Sequence, residues 1–267
     1  MRDSTAITEL EYQHQIKVMR CGFLIMQDSG LKRFLVSGFF SMREVLSAAS
    51  GMFKQHEFRP ENANYESYWQ ERGPGAIHPR FQIIARQLRL GETVLDVGCG
   101  DGAMLEYFSR EKGVHGVGID VSSVAVKTAR ERGVDARLQN LGQFYREVGK
   151  TGFDHVIMSE VLEHLTDSED YVAKGWQLAV KTLWLTFPNI AYFPHRLRLL
   201  AGRFPVQWAV FPSEHVRFWS IPDFQFWLKQ LGMMEPRMYA SNGLTIFGLH
   251  RMWPNLLGNQ IVVQLNK

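Results

Sequence analysis

A short strand-like run that leads directly into alternating glycines constrains this chain more than any other feature. The run covers residues 94–97, and Gly98, Gly100 and Gly102 follow it. Glycine lets the backbone turn sharply and lets a ligand approach without a Cβ in the way. A helical pattern begins after the last glycine, so the loop amides and the N-terminus of that helix would face the same ligand. The stretch therefore predicts a strand, a tight loop and a helix arranged around a bound ligand.

Strand and helix patterns alternate along the chain from this point. Strands are predicted at residues 94–97, 114–119, 134–138, 153–158 and 182–187. Helices are predicted near residues 102–112, 122–132 and 166–180, with Ser122 as an N-cap and Gly133 as a stop. Strands that are joined by helical crossovers favour a doubly wound, mostly parallel α/β sheet.

The alternation changes after Pro188. Residues 189–212 form an insertion rich in aromatic residues and arginines, and residues 192–204 within it predict a helix. That helix would pack its leucines inward, or its basic and apolar residues would face an acidic substrate, a lipid or a partner protein. Residues 220–223 resemble a capping box that opens a helix ending near Gly232. Strands are then predicted at residues 234–240, 244–250 and 260–265, and such a hairpin would add an antiparallel strand.

Composition and charge narrow the broad class. The chain has 267 residues, of which 45% are hydrophobic and 21% are charged, as in ordinary globular proteins. The net charge of +3 is too small to indicate nucleic acid by itself. Two cysteines do not make a disulfide framework, and no apolar run approaches the roughly 20 residues of a membrane span. We expect a cytoplasmic protein.

The first 58 residues differ from the rest. Apolar residues recur there at helical spacing among lysines and arginines, which predicts an N-terminal helical extension. It would either pack as a cap on the main domain or rest peripherally on a membrane surface. Residues 59–79 are predicted to be a linker, whose aromatic residues would form a lid over a ligand or pack against the sheet edge. The ligand-binding domain would cover residues 80–267.

Polar residues fall where the predicted strands end, which is where ligands bind to open α/β sheets. Asp120 ends the second strand about 20 positions after the glycines, where an acidic residue can accept hydrogen bonds from ribose hydroxyls. The alternative for Asp120 is a solvated residue that caps the next helix. Asn140 and Leu141 follow the third strand, and Ser159 and Glu160 follow the fourth. This set predicts a ligand that contains adenosine.

Two classes of adenosine ligand fit the glycine loop. Gly98, Gly100 and Ala103 satisfy the dinucleotide fingerprint of nicotinamide enzymes. Asp96, however, lies inside the strand just before the loop, where its carboxylate would repel a pyrophosphate. A carboxylate there suits a ligand with an ammonium group and a sulfonium centre, namely S-adenosylmethionine. We see no Tyr-x-x-x-Lys pair that would support a dehydrogenase.

The glycine loop and the residues around Asp120 resemble motifs I and II of class I S-adenosylmethionine-dependent methyltransferases. Residues 153–165 resemble the fourth-strand motif of that class. Residues 187–189, 196–206 and 253–258 are similar to the MetW family, whose members are linked to methionine biosynthesis, and the similarity covers about residues 80–267. The resemblance implies a Rossmann-like, doubly wound, mostly parallel seven-stranded sheet with an antiparallel C-terminal strand. Residues 214–220 instead resemble a segment found in many O-methyltransferase-like proteins.

The resemblance also implies roles for the loop residues. The backbone of residues 98–102 would wrap the methionine moiety of S-adenosylmethionine, and Asp96 would bind its amino group. Asp120 would hold the ribose hydroxyls, with Val121 beside the adenine. The remaining predicted cofactor contacts are Cys99, Asn140, Leu141 and Ser159, of which Asn140 could accept a hydrogen bond from the adenine amino group.

Catalysis of methyl transfer depends mainly on alignment, and a base is needed only if the acceptor must lose a proton. The candidate catalytic residues are His215 and His164, whose imidazoles can take a proton near pH 7, and Glu160, which would line the floor where donor and acceptor meet. Glu163 is expected to be structural. No set of residues has metal-ligand spacing, so no metal site is expected.

The sequence leaves two functions open. The first is methyl transfer from S-adenosylmethionine to a small molecule or glycan, most simply to an oxygen. The second, which the MetW resemblance permits, is a non-catalytic partner subunit of an acyltransferase in methionine biosynthesis. We do not expect a nucleic acid substrate. The acceptor, the oligomeric state and the role of residues 1–58 cannot be read from the sequence.

Overall fold

The structure is a computed structural model that describes residues 66, 69–70, 75–149, 151–205 and 215–267. These residues belong to a single unit of the chain. The predicted extension at residues 1–58 lies outside the described residues, as does most of the predicted linker at residues 59–79. None of the helices in the described segments has the length and hydropathy needed to cross a membrane.

Seven strands of the described chain form one sheet. They are β1 (Thr93–Val97), β2 (His115–Asp120), β3 (Asp135–Leu138), β4 (Phe153–Ser159), β5 (Ala179–Pro188), β6 (Arg237–Gly243) and β7 (Gly258–Asn266). Their order across the sheet is β3-β2-β1-β4-β5-β7-β6. Strands β1 to β5 are parallel, and β7 is antiparallel to both β5 and β6. The predicted doubly wound, mostly parallel sheet with an antiparallel C-terminal strand is confirmed.

Helices cover both faces of this sheet. They are α1 (Pro79–Ala85), α2 (Ala103–Lys112), α3 (Ser123–Glu131), α4 (Leu141–Val148), α5 (Ser168–Leu178), α6 (Phe193–Leu200), α7 (Ile221–Gln230), α8 (Leu249–Met252) and α9 (Pro254–Leu257). Short 3-10 turns occur at Leu162–His164 and Ile246–Gly248. Ser122 caps α3 by accepting a hydrogen bond from Ala125, and Ser220 caps α7 by accepting one from Asp223. Both caps were predicted from the sequence.

The hydrophobic core has a layer on each side of the sheet because side chains alternate along each strand. In β1, Val94 packs in one layer with α1 and α2, whereas Leu95 and Val97 pack in the other with α5 and α7. Alternation places Asp96 on the same side of the sheet as Val94. A carboxylate therefore lies in the layer that packs against α1 and α2, among mainly apolar side chains.

The prediction of a strand at residues 244–250 is wrong. The chain there forms the 3-10 turn and then α8. Phe247 and Gly248 both have positive φ angles, of 50° and 73°, and two consecutive left-handed residues cannot continue a strand. The sequence also did not predict α4, which begins directly after the third strand with a capping box formed by Asn140 and Gln143.

The predicted helix in the insertion exists, but its buried residues are not its leucines. One of the alternatives left open by the sequence was that the leucines of α6 pack inward and its arginines are solvated. Instead, His195 and Arg198 are its buried residues, and Leu200 is 86% exposed. Arg198 is held inside because its guanidinium donates a hydrogen bond to the carbonyl of Phe204 at 2.9 Å. A buried arginine in this helix thus has a polar partner inside the protein.

Candidate functional site

The glycine loop after β1 has the backbone that the sequence predicted. Gly98, Gly100 and Gly102 have φ angles of 74°, 54° and 75°, a region that only glycine adopts readily. The amides of Gly98 and Cys99 donate to the carbonyl of Ile119, at 2.8 and 3.1 Å, which fastens the loop to the end of β2. A Cβ on Gly98 would lie 2.5 Å from a methyl group of Val161. The loop is thus closely packed against neighbouring strand ends and tolerates little added volume.

Asp120 holds this loop in place. Its carboxylate accepts hydrogen bonds from the amides of Gly100 and Ser122, each at 2.9 Å. Burial raises the pKa of Asp120 against the opposing effect of these amides. Each carboxylate oxygen can accept a second hydrogen bond. Asp120 can therefore bridge the loop and a ribose, which is the role that the sequence assigned to it.

Asp96 is the buried acid of the site. It is 1% exposed, and within the described residues its Oδ1 atom has no hydrogen-bond partner. Burial and the charge of Asp120 raise the pKa of Asp96 to about 8, while Arg80 opposes the shift. A buried acceptor without a partner is costly, and a ligand ammonium group would supply both the missing donor and the opposite charge. The site therefore fits the amino group of S-adenosylmethionine.

Arg80 brings a cation to these acids, although nothing in the sequence pattern pointed to it. Its guanidinium, at the start of α1, donates to Ser159 Oγ at 2.9 Å and to Gln260 Oε1 at 3.2 Å. Burial lowers the pKa of Arg80, and the charges of Glu160, Glu163 and Asp96 oppose that shift. Because Arg80 lies 79 residues from Ser159 and 180 from Gln260 in the sequence, only the fold brings them together.

The residues predicted to surround the adenine lie at the ends of β2 and β3. Val121 is 57% exposed, so its side chain is available to a flat apolar ligand. Asn140 Oδ1 accepts a hydrogen bond from the amide of Gln143 at 2.9 Å as the cap of α4, and a carbonyl oxygen can accept one more. Leu141 is fully buried as the first residue of α4.

Glu160 is held at the end of β4 in a strained conformation. Its φ angle is 58°, which costs a non-glycine residue about 1–3 kcal/mol and is typical of functional sites. Thr186 Oγ1 accepts a hydrogen bond from the Glu160 amide at 2.9 Å and donates one to the Glu160 carboxylate at 2.7 Å. Ser159 Oγ lies 3.2 Å from the same hydroxyl. These contacts aim the Glu160 carboxylate in one fixed direction.

The two candidate catalytic histidines meet beside Glu163. The rings of His164 and His215 pack edge to face, with centroids 4.7 Å apart. Burial and the neighbouring His164 lower the pKa of His215 to about 4, so its imidazole is neutral at pH 7. One potential ligand atom from each of Glu163, His164 and His215 lies within 4.8 Å of the others, close enough to hold a metal ion. The spacing of these residues in the sequence did not suggest this cluster.

Arg217 fixes the segment that carries His215. Its guanidinium donates to both carboxylate oxygens of Glu169, at 2.6 and 2.8 Å, and to the carbonyl of Leu165 at 3.2 Å. The amides of Val216 and Arg217 donate to the carbonyl of Glu163. The segment is therefore fastened across the turn that holds Glu163 and His164, which keeps His215 beside these two residues.

Glu66 and Trp69 lie against the other side of the site. The carboxylate of Glu66 accepts hydrogen bonds from Ser122 Oγ and from the amides of Ser123 and Val124, at 2.9, 2.7 and 3.1 Å. A Cβ on Gly100 would collide with the indole of Trp69. Trp69 therefore packs directly on the glycine loop.

Comparison with known proteins gives the family. The family model described as "Methionine biosynthesis protein MetW" matches residues 78–265, more than half of the chain. A "Probable fatty acid methyltransferase" of Mycobacterium tuberculosis is 37% identical over 92 residues, which are 32% of this chain and 21% of that protein. A "Ubiquinone biosynthesis O-methyltransferase" of Xanthomonas oryzae pv. oryzae is 37% identical over 132 residues, which are 45% of this chain and 54% of that protein. The chain thus spans about half of the second relative and less of the first.

A solved structure shows the same fold. The S-adenosylmethionine-dependent methyltransferase from Archaeoglobus fulgidus superposes with a TM-score of 0.56 at 14% identity, covering 76% of this chain and all of that one. The family match, this fold and the Asp96 and Asp120 carboxylates at the glycine loop agree on one cofactor, which is S-adenosylmethionine. The chain belongs to the MetW family of class I S-adenosylmethionine-dependent methyltransferases.

Proposed function

We propose that the chain transfers a methyl group from S-adenosylmethionine to an oxygen of a small molecule or a glycan. The observation that carries this proposal is the buried Asp96 carboxylate, which lies next to a glycine loop held by Asp120 and has an oxygen with no partner among the described residues. Bound S-adenosylmethionine would supply a methyl group whose bond to the positively charged sulfur breaks as the acceptor oxygen attacks the methyl carbon in line, with S-adenosylhomocysteine as the leaving group.

The chain's own residues bind and orient the two reactants in this proposal. Asp96 holds the amino group of the cofactor, and the amides of residues 98–102 surround the methionine moiety. Asp120 holds the ribose, with Val121 beside the adenine. Glu160 is fixed by Thr186 at the end of β4, where it lines the floor between the cofactor and the acceptor.

An oxygen acceptor is supported by the residues around the acceptor space. A hydroxyl must lose its proton during transfer, and Glu160, Glu163, His164 and His215 bring carboxylates and imidazoles to one region. The relative from Xanthomonas oryzae is named an O-methyltransferase, which is consistent with this choice of atom.

Cofactor binding and acceptor choice are tested in two steps. Calorimetry with S-adenosylhomocysteine should show one site per chain, which Asp120→Ala and Gly98→Val abolish while the variants stay folded. Labelled methyl donor is then incubated with panels of hydroxylated small molecules and glycans. Well-folded wild type that binds neither S-adenosylmethionine nor S-adenosylhomocysteine would overturn the proposal.

The match to a methionine biosynthesis family favours a second candidate, a partner subunit of an acyltransferase. In that case the chain would bind the acyltransferase as a non-catalytic subunit, and no methyl transfer would be detected with any acceptor. Affinity purification from the source cells decides between the two candidates. Stoichiometric recovery of an acyltransferase together with absent methyl transfer would favour the partner role.

A further inference from the structure

Glu163, His164 and His215 converge on one point beside the acceptor space. One ligand atom from each lies within 4.8 Å of the other two. Glu163 is 1% exposed, and neither of its carboxylate oxygens has a hydrogen-bond partner within the described residues. A buried carboxylate without hydrogen bonds or a counter-ion is strongly unfavourable. A cation bound directly to these oxygens would stabilise the charged form of Glu163.

Arg80 does not bind the Glu163 carboxylate directly. Its charge acts on Glu163 through space, but its guanidinium gives its hydrogen bonds to Ser159 and Gln260. The Glu163 oxygens thus remain without a donor although a cation lies in the neighbourhood. A small ion that bonds directly to oxygen and nitrogen would supply that direct contact.

We propose that Glu163, His164 and His215 form a binding site for a divalent transition-metal ion, with zinc as the first choice. Two imidazoles and one carboxylate are a ligand set that zinc uses in catalytic sites, where a fourth position stays open. Ligand atoms on one tetrahedral zinc lie about 3.3–3.6 Å apart, given bonds of roughly 2.0–2.2 Å. Binding would therefore draw the three side chains together by about 1 Å, which small rotations of the two imidazoles can supply.

Hydrogen bonds from neighbouring residues fix the backbone segments that carry these three side chains. Ser168 Oγ donates to the carbonyls of Leu162 and Leu165, at 2.8 and 2.9 Å, and so fixes the turn that carries Glu163 and His164. Arg217 fastens the segment that carries His215 across the same turn. Outer contacts of this kind orient metal ligands and raise affinity.

The role of the ion rests on the proposed function. An acceptor hydroxyl bound at the open position would release its proton to water at a lower pH than a free hydroxyl, because a metal ion lowers the pKa of a bound oxygen. The chain would then need no separate general base. The metal site itself is independent of this role and is tested without it.

The test measures metal binding directly on the 267-residue chain. After treatment with a chelator, the protein is titrated by calorimetry with ZnCl2, MnCl2 and MgCl2 separately, and bound metal is counted by elemental analysis. Glu163→Gln and His215→Gln remove one ligand each. His115→Gln is the matched control, because His115 is exposed at the start of β2, the end of the strand away from the site. Thermal melting and S-adenosylhomocysteine binding report whether each variant is folded.

We expect one zinc ion per chain, at least a tenfold weaker affinity in both ligand variants, and wild-type affinity in the control. If Glu163→Gln does not fold, His215→Gln, which changes a half-buried residue, decides the outcome. The proposal is overturned if wild type binds no ion stoichiometrically, if it binds only Mg²⁺, or if both variants bind zinc like wild type. Zinc binding without methyl transfer would refute the proposed function and keep the site, whereas S-adenosylhomocysteine binding without metal would refute the site alone.

Discussion

At the scale of single residues, Asp96 combines two properties that oppose each other. Its carboxylate is buried, where the charged form is unfavourable, yet a ligand with an ammonium group requires that form. Burial and Asp120 raise its pKa to about 8, so in the ligand-free protein it is mostly protonated at pH 7. Binding of the cofactor would restore the charge.

We expect Asp96→Asn to stabilise the ligand-free protein and to weaken cofactor binding. The folded state binds more protons than the unfolded state between the ordinary aspartate pKa and about pH 8, so wild-type stability falls as pH rises through that window. Asparagine does not titrate. The melting temperature of Asp96→Asn should therefore exceed that of wild type by a few degrees at pH 8, and the difference should be smallest near pH 4. Losing a buried charge partner costs about 2–5 kcal/mol, so the affinity for S-adenosylhomocysteine should fall about 30-fold or more.

Melting curves across this pH range and calorimetry at pH 7.5 check both effects. Asp135→Asn is the matched control, since Asp135 is an exposed aspartate at the start of β3. Equal cofactor affinity in Asp96→Asn and wild type would rule out the assigned contact.

Gly100 supports a second prediction at this scale. Gly100→Ala should weaken S-adenosylhomocysteine binding at least tenfold, because the added Cβ would collide with the Trp69 indole and force the loop or the indole to move. Gly133→Ala is the control. Gly133 also has a left-handed φ angle, of 81°, but nothing lies within 4 Å of a Cβ there. Gly133→Ala therefore introduces the same backbone strain of about 1–2 kcal/mol without a collision. Calorimetry should show that its affinity for S-adenosylhomocysteine is unchanged. Similar losses in both variants would mean that strain alone is responsible.

At the scale of elements, the N-terminus of α3 joins the two sides of the site. Asp120 precedes it, and the Glu66 carboxylate accepts hydrogen bonds from its first amides. These amides lower the pKa of Glu66 to about 2. Because the folded pKa is depressed, the stabilisation is present above the ordinary glutamate pKa and is lost as the pH falls toward 2.

We expect Glu66→Ala to release the Glu66 and Trp69 pair from the glycine loop and to raise the dissociation constant of S-adenosylhomocysteine several-fold. Glu131→Ala is the control, because Glu131 is an exposed residue at the opposite end of the same helix and should not change binding. Calorimetry at pH 7.5 measures both. The lid interpretation fails if the two variants bind alike.

The helices and strands also show which features of the fold can be predicted from local sequence patterns and which cannot. The caps at Ser122 and Ser220 could be predicted because a cap depends on neighbouring residues only. The segment at 244–250 is apolar enough for a strand, but its two left-handed residues cannot be recognised from composition. In α6, the spacing of the leucines is typical of a face that packs on the core, but the buried residues include Arg198, which donates a hydrogen bond to the carbonyl of Phe204. Such outcomes depend on partners that local periodicity does not reveal.

At the scale of the whole molecule, the N-terminal residues pose a separate question, because they lie outside the described structure. We expect residues 1–58 to act as a packing cap. Deleting them should lower the melting temperature or the soluble yield, and neither protein should sediment with anionic vesicles. Sedimentation of the full chain that is lost on deletion would instead support a membrane contact. Vesicles of neutral lipid are the control for charge-driven binding.

The alternation of parallel strands with helices and the position of the cofactor loop could be predicted from the sequence itself. Glycine spacing and strand alternation are local, so residues 94–102 and Asp120 indicated an S-adenosylmethionine site before any contact was known. The tertiary structure decided which distant side chains meet. It brought Arg80 to the acids, Trp69 to Gly100, and His215 to Glu163, which lies 52 residues earlier in the chain. Such meetings depend on how helices and loops pack over the sheet, and packing is a property of the whole chain that no short stretch contains.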